Sequence, residues 1–135
     1  MKSKEPIWVE KRDVFAIHDR LLAVHGGGLG LRDEGLLQSA LARPLQHRAY
    51  AASSGVVEMA ALYTAGIVRS HPFVDGNKRT GFVVGVLFLE LNGLSFTASE
   101  ADATQAIMGL AAGTLDETAY TAWLRANSKR KGGDK

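Results

Sequence analysis

A chain of 135 residues, of which 46% are hydrophobic, has the size of one domain with a single buried core, and without cysteine it can form neither disulfides nor thiolate metal sites. Its formal charge of +2 is confined to the end of the chain, since residues 128–135 carry a net +3 and the rest is near −1, so direct binding of nucleic acid is not expected. The longest apolar stretch, residues 81–89, is too short for a membrane span of about 20 residues, and no signal peptide is recognisable, so we expect a cytoplasmic protein without a membrane partner.

Apolar residues recur at helical spacing through most of the chain, which predicts an all-α fold. The first helix is predicted over residues 12–25 and ends at the glycines of residues 26–28. The glycine-rich segment of residues 26–35, called the flap below, is predicted to form a loop or flap. A short second helix follows, capped by Asp33 and halted by Pro44.

The second half of the chain continues the helical pattern. A third helix over residues 53–70 leads to His71, and a fourth over residues 77–91 is apolar on all sides, which predicts the buried centre of a bundle. Residues 94–97 could form a strand or a turn. Ser99 and Asp116 are predicted to cap the last two helices. We predict one domain over residues 1–127 and a disordered basic tail over residues 128–135.

One segment, residues 71–80 with the sequence HPFVDGNKRT, departs from local expectation. Lys78 and Arg79 occupy the opening turn of a helix, where the positive end of the helix dipole disfavours cations. An anion is therefore expected there, and free backbone N–H groups together with two cations suit a polyphosphate. Gly76 allows the backbone to approach such a ligand closely or to make a left-handed turn.

His71 and Asp75 add chemistry to this predicted phosphate site. A histidine can take a proton from a hydroxyl nucleophile at neutral pH, and an aspartate offers oxygen ligands to Mg²⁺ that bridges phosphates. Taken singly, each residue has an ordinary structural explanation as a helix end, a turn or a surface charge. Their combination within residues 71–79 predicts a catalytic site. His18, His25 and His47 lack the spacing of a zinc site, and structural or surface roles are expected for them.

The segment resembles the motif of the Fic family, His-x-Phe-x-Asp/Glu-Gly-Asn-Gly-Arg-x-x-Arg. Lys78 stands where that motif has its second glycine, the one after the asparagine, and Phe82 stands where it has its second arginine. These departures resemble the Doc (death-on-curing) branch of the family, with its Asn-Lys-Arg-Thr signature, and the likeness extends over nearly the whole chain before the tail. The positions that match the motif are His71, Phe73, Asp75, Gly76, Asn77 and Arg79.

This resemblance implies a compact helical Fic-fold bundle around a buried central helix, and a kinase that uses ATP and Mg²⁺. It implies transfer of the gamma-phosphate to a threonine hydroxyl of elongation factor Tu, which arrests translation, by the toxin of a type II toxin-antitoxin system. In this role His71 is the catalytic base and Asp75 holds Mg²⁺, while Phe73 anchors the loop to the core. The residues implied to bind the nucleotide phosphates are Gly76, Asn77, Lys78 and Arg79.

Inhibition from outside the chain is expected. Many Fic proteins carry an inhibitory helix with the pattern Ser/Thr-x-x-x-Glu-Gly/Asn, and although Ser54 and Glu58 have its spacing, Met59 follows. A Phd-like antitoxin with a disordered segment that folds into a groove would supply the inhibition instead.

Two alternatives stay open from sequence. The first keeps the fold and changes the reaction to AMP transfer onto a protein, as in the wider Fic family; Lys78 and Phe82 disfavour it. The second is a helical binding module that holds a phosphorylated partner or nucleotide without turnover, which His71 and Asp75 disfavour because simple binding needs neither a base nor a metal ligand.

Overall fold

Helices dominate the computed structural model, which describes residues 5–50 and 55–132. Over these ranges none of the helices is both long and apolar enough to cross a bilayer. The all-α prediction is confirmed, since the only strands in the described part of the chain are the three-residue β1 (Leu94–Phe96) and β2 (Ser128–Arg130). The helices are α1 (Lys11–His25), α2 (Glu34–Tyr50), α3 (Val56–Ser70), α4 (Asn77–Leu91), α5 (Glu100–Ala112) and α6 (Glu117–Ala126).

The most enclosed helix is α3, not α4 as the sequence predicted. From Val57 to Val68 every residue of α3 is buried except Glu58 and Leu62, because α2, α4, α5 and α6 all pack around it. Along α4, by contrast, Phe82 and Val83 are only half-buried. The apolar outer face of α4 therefore borders a cleft, which an apolar pattern alone does not distinguish from a core.

Two glycines bring the backbone of α4 close to α3. The Thr64 hydroxyl donates a hydrogen bond of 2.8 Å to the Gly81 carbonyl, and a Cβ atom at Gly85 would collide with Thr64 Oγ1 and lie 3.0 Å from the Ala60 carbonyl oxygen. This contact fixes the start of α4 beside the end of α3. The loop of residues 71–76 between them, here called the motif loop, is therefore anchored at both ends.

The prediction that Pro44 ends the second helix is wrong, because α2 continues through it to Tyr50. Proline removes one backbone hydrogen bond from a helix interior. The ring of Pro44 is buried, and nearby the helix packs so closely on α3 that a Cβ atom at Gly66 would lie 3.2 Å from Ala40 Cα. Tertiary packing offsets the missing bond.

The predicted disorder from Ser128 onward is wrong for β2, which pairs antiparallel with β1. Leu94 lies opposite Arg130, and Phe96 lies opposite Ser128. Beyond the strand, the Lys131 ammonium lies 3.1 Å from the Glu90 carboxylate. Backbone pairing and this ion pair give the basic segment partners that its composition does not reveal. Residues 133–135 lie outside the described residues.

We predict that Gly85→Ala destabilises the protein although alanine favours helices. The added methyl would collide with Thr64 Oγ1 and the Ala60 carbonyl, and overpacking of this kind costs about 1–3 kcal/mol. Chemical denaturation followed by circular dichroism measures the free energy of unfolding. Gly55→Ala is the matched control, because a Cβ atom there meets nothing within 4 Å. A Gly85→Ala protein as stable as the parent would show that the glycine contact is not tight.

Candidate active site

The motif loop begins with a strained residue. His71 caps α3 with φ 54° and ψ 58°, and among the described residues no other non-glycine has a positive φ. The left-handed conformation is costly for a residue with a side chain, and the surrounding structure must hold it. The His71 side chain is exposed and lines a cleft.

Arg32 provides that support from the flap. Its guanidinium donates to the carbonyl oxygens of Ser70 at 2.8 Å and His71 at 2.6 Å. A cation at the end of α3 also suits the negative end of the helix dipole. The backbone N–H groups of Arg32 and Asp33 both donate to the Pro72 carbonyl, at 2.6 and 2.9 Å. The main chain around His71 is thereby held from a segment some forty positions earlier in the sequence.

The flap runs beside the motif loop and reaches Asp75. The Val74 N–H donates to the Gly30 carbonyl at 3.0 Å, and Leu31 forms an isolated antiparallel bridge with Phe73. The Gly28 N–H donates to Asp75 Oδ2 at 3.2 Å. Gly27 must be glycine here, since its φ is 126° and a Cβ atom would lie 2.9 Å from Asp75 Oδ2.

Asp75 is an exposed carboxylate held by two backbone donors. Besides the bond from Gly28, its Oδ1 accepts from the Gly76 N–H at 2.8 Å. These two bonds, and then the positive charges of Lys78 and Arg79, lower the pKa of the Asp75 carboxyl below its ordinary value. The group is therefore ionised at neutral pH, and each oxygen keeps lone-pair capacity for a further partner.

The residues around Asp75 suit Mg²⁺ bound together with phosphates. In the described part of the chain, no group of three or more His, Cys, Asp or Glu side chains could hold a metal ion. Magnesium typically takes one or two protein carboxylates and completes its shell with waters and substrate phosphates. A single ionised Asp75 next to a cationic helix terminus is compatible with that mode.

Asn77 and Phe73 close the motif loop. The Asn77 side chain is buried, and it accepts from the Phe73 N–H at 2.9 Å and donates to the Phe73 carbonyl at 3.0 Å. The side chain of Asn77 thus holds the loop, and its contact with a phosphate stays a prediction. Phe73 is 1% exposed and packs edge-on against Phe15, which confirms it as the anchor of the loop.

The start of α4 offers a cluster of unpaired donors. Gly76 is the N-cap with φ 78° and ψ 17°, and the first-turn N–H groups of an α-helix have no acceptor within the helix. Lys78 and Arg79 are exposed, and neither forms a salt bridge with a carboxylate in residues 5–50 or 55–132. The first turn of α4 contains no acidic residue. This end of the helix is therefore suited to an anion.

All six predicted site residues, His71, Asp75, Gly76, Asn77, Lys78 and Arg79, line one cleft of about 800 Å³. Part of the cleft lining is apolar and comes from α4, α5 and β1. This part includes Phe82, Val83, Phe96, Ile107 and Met108. A second depression, of about 630 Å³ between α2 and α3, shares no lining residue with it.

The residues that support the motif loop from elsewhere in the chain were not predicted from the sequence. Arg32 and Gly28 lie in the flap, and His18 lies in α1 with its ring stacked on Phe73. His25, expected to be structural or at the surface, lines the cleft. No spacing pattern connects these positions with residues 71–79, because the connection exists only after α1 and the flap fold against the motif loop.

The sequence is similar to known proteins over most of its length. A sequence model of the Fic/DOC family matches residues 8–89, which include α1, the flap and the motif loop. The chain is 31% identical over 119 residues to "Protein kinase doc" of Escherichia phage P1, across 87% of this chain and 92% of the phage protein. It is 40% identical over 75 residues to "Toxin Doc" of Mycolicibacterium smegmatis (strain ATCC 700084 / mc(2)155), across 54% of this chain and 57% of that protein. The chain therefore belongs to the Fic/Doc family.

Proposed function

We propose that this protein is the toxin of a type II toxin-antitoxin system and a kinase that transfers the gamma-phosphate of ATP to a threonine hydroxyl of elongation factor Tu, arresting translation. The observation that carries the proposal is the joint placement of His71, Asp75 and the cationic start of α4 in one cleft. The names of the two relatives, a protein kinase and a toxin, support it.

The distribution of charge in the cleft favours one orientation of a bound nucleotide. Two helices begin at its wall: α4 with Lys78 and Arg79, and α5 with Glu100 and Asp102 in its first turn. Phosphates are attracted to the start of α4 and repelled from the acidic start of α5. The apolar region bordered by Phe82 and Met108 is suited to a nucleobase.

The chain's own residues then perform the transfer. His71 takes the proton of the target hydroxyl while that oxygen forms a bond to the gamma-phosphorus, and the bond from the gamma-phosphorus to the bridging oxygen breaks to release ADP. Lys78, Arg79 and the N–H groups at the start of α4 stabilise the charge on the phosphates. Asp75 would hold Mg²⁺, which neutralises phosphate charge when bound.

Phe82 favours transfer of the gamma-phosphate over transfer of AMP. It occupies the position of the second arginine of the Fic motif and packs edge-on against Phe96, with ring centroids 5.4 Å apart. An aromatic ring held in this way cannot provide the bidentate grip on inner phosphates that an arginine gives. AMP transfer therefore lacks one of its two expected arginines in this cleft.

Glu58 supports inhibition by a separate antitoxin, which we propose to be Phd-like. The Glu58 carboxylate accepts from the Gly55 N–H at 2.9 Å, and its other oxygen lies 3.7 Å from Arg125. It sits near the start of α3, whereas His71 follows the end of that helix. At 1.5 Å of rise per residue the two positions are roughly 20 Å apart along the axis, so Glu58 cannot block the phosphate site from within.

The reaction is tested by incubating the protein and Mg²⁺ with elongation factor Tu and ATP labelled at the gamma or the alpha phosphate. We expect gamma label on the factor and a rate at least about 100-fold lower for His71→Ala, because a general base contributes that much or more. His47→Ala, the same substitution outside the cleft, should retain the parent rate.

Each other result of this experiment has a definite meaning. Alpha label on the factor would replace the kinase by an AMP transferase. Absence of both labels would contradict the proposed target. An unimpaired His71→Ala protein would remove His71 from the chemistry.

Asp75 should titrate at lower pH than an ordinary aspartate, because backbone donors and nearby cations favour its charged form. A carboxyl whose pKa is lower in the folded state contributes stability above the unfolded pKa of about 3.9, and this contribution disappears as pH falls through the folded pKa. Carboxyl ¹³C NMR against pH measures the titration. Lys78→Met should leave most of the depression, since the bonds from Gly28 and Gly76 are its larger causes. An Asp75 pKa at or above the ordinary value would contradict the described hydrogen bonds.

A further inference from the structure

His18 is a buried polar side chain directly beneath the motif loop. It is 3% exposed, and its ring stacks on Phe73 with centroids 3.8 Å apart and planes inclined by 12°. Its Nε2 atom lies 2.8 Å from the backbone carbonyl oxygen of Asp75. α1 thus contacts the loop both through an aromatic stack and through a hydrogen bond.

The hydrogen bond determines that the Nε2 atom of the His18 ring carries a hydrogen. A carbonyl oxygen only accepts hydrogen bonds, so the proton in this contact belongs to His18 Nε2. The acceptor belongs to the peptide unit between Asp75 and Gly76. The N–H of the same peptide unit donates to Asp75 Oδ1 at 2.8 Å. One rigid peptide plane therefore connects the imidazole of His18 with the carboxylate of Asp75.

Steric packing alone does not fix this peptide. Gly76 has φ 78° and ψ 17°, and glycine rotates with little steric cost. The space around it is not tight, since even a Cβ atom there would keep ordinary distances of 3.5 Å from Leu22 and 3.7 Å from His18. The orientation of the peptide thus depends on its hydrogen bonds, and His18 is the side chain that holds its carbonyl.

We propose that His18 is a positioning residue: its Nε2–H fixes the Asp75–Gly76 peptide, and through the Gly76 N–H it fixes the carboxylate that would hold Mg²⁺. The inference rests on the proposed function, and it makes His18 act through Asp75 without contacting the substrate. Groups that hydrogen-bond a metal ligand commonly change metal affinity or activity by about 10–100-fold when they are removed.

Two substitutions of His18 separate the effect of its hydrogen-bond donor from the effect of its ring. In His18→Gln an amide nitrogen follows the same number of bonds as Nε2 and can donate to the Asp75 carbonyl, whereas His18→Met has a similar length and no donor. Both variants lose the stacked ring equally. We expect the Mg²⁺ concentration for half-maximal phosphate transfer to rise about tenfold or more in His18→Met and to stay near the parent value in His18→Gln. The KM for ATP at saturating Mg²⁺ should change little in either variant.

Thermal unfolding of both variants separates positioning from folding. Two folded variants with the parent's Mg²⁺ dependence would overturn the proposal. Equal impairment of the glutamine and methionine variants would also overturn it, because the stacked ring and not the donor would then be responsible.

A measurement on the unaltered protein needs neither folding of a variant nor activity. Imidazole ¹⁵N NMR should show His18 as the Nε2–H tautomer, and the Gly76 amide proton should exchange slowly, as expected for a hydrogen-bonded N–H. An Nδ1–H tautomer, or a Gly76 amide that exchanges as fast as a free one, would overturn the inference. If the parent protein transfers no phosphate, the proposed function fails, and these spectra still decide whether His18 holds the loop.

Discussion

The contact between α3 and α4 determines where everything else in the site can lie. Gly81 and Gly85 let the two backbones approach until Thr64 can donate to the Gly81 carbonyl. The end of one helix, with its exposed carbonyl groups, and the beginning of the next, with its free N–H groups, then lie side by side. Only the short motif loop remains between them, so His71 after α3 and the residues Lys78 and Arg79 at the start of α4 become neighbours.

Such a short connection has to use unusual backbone conformations. Left-handed residues stand at both ends of the motif loop, at His71 and at Gly76. Glycine accepts that conformation without cost, but His71 does not. Groups outside the loop hold it, and among them are the Arg32 guanidinium at its start and the Gly28 N–H and the His18 imidazole at Asp75. The candidate catalytic residues lie in one contiguous segment, whereas the residues that hold this segment in place lie in the flap and in α1.

Because local residues determine some features and distant residues determine others, only part of the structure could be predicted from the sequence. Residues 77–91 were predicted as found from their apolar pattern. The caps Ser99 and Asp116 were also predicted as found, because the starts of these two helices depend on local side chains that accept hydrogen bonds from free N–H groups. The helix end predicted at Pro44 and the disorder predicted from Ser128 onward were wrong. The burial of Pro44 and the strand pairing of Ser128 depend on residues that are distant in the sequence. The sequence predicted α4 as the central helix, and the structure shows α3 instead. A helix face that is apolar toward a cleft has the same sequence pattern as one that is apolar toward the core.

Asn77 and His18 show why motif membership and function at the site are different properties. Asn77 belongs to the motif, yet both polar atoms of its buried side chain form hydrogen bonds with the backbone of Phe73 and so hold the loop. His18 lies 57 positions before Asp75, yet its ring bonds directly to the peptide that orients the carboxylate. A substitution in α1 can therefore alter the site as much as one inside the motif. Sequence differences among family members outside residues 71–79 can therefore affect the site as much as the replacement of the second arginine by Phe82.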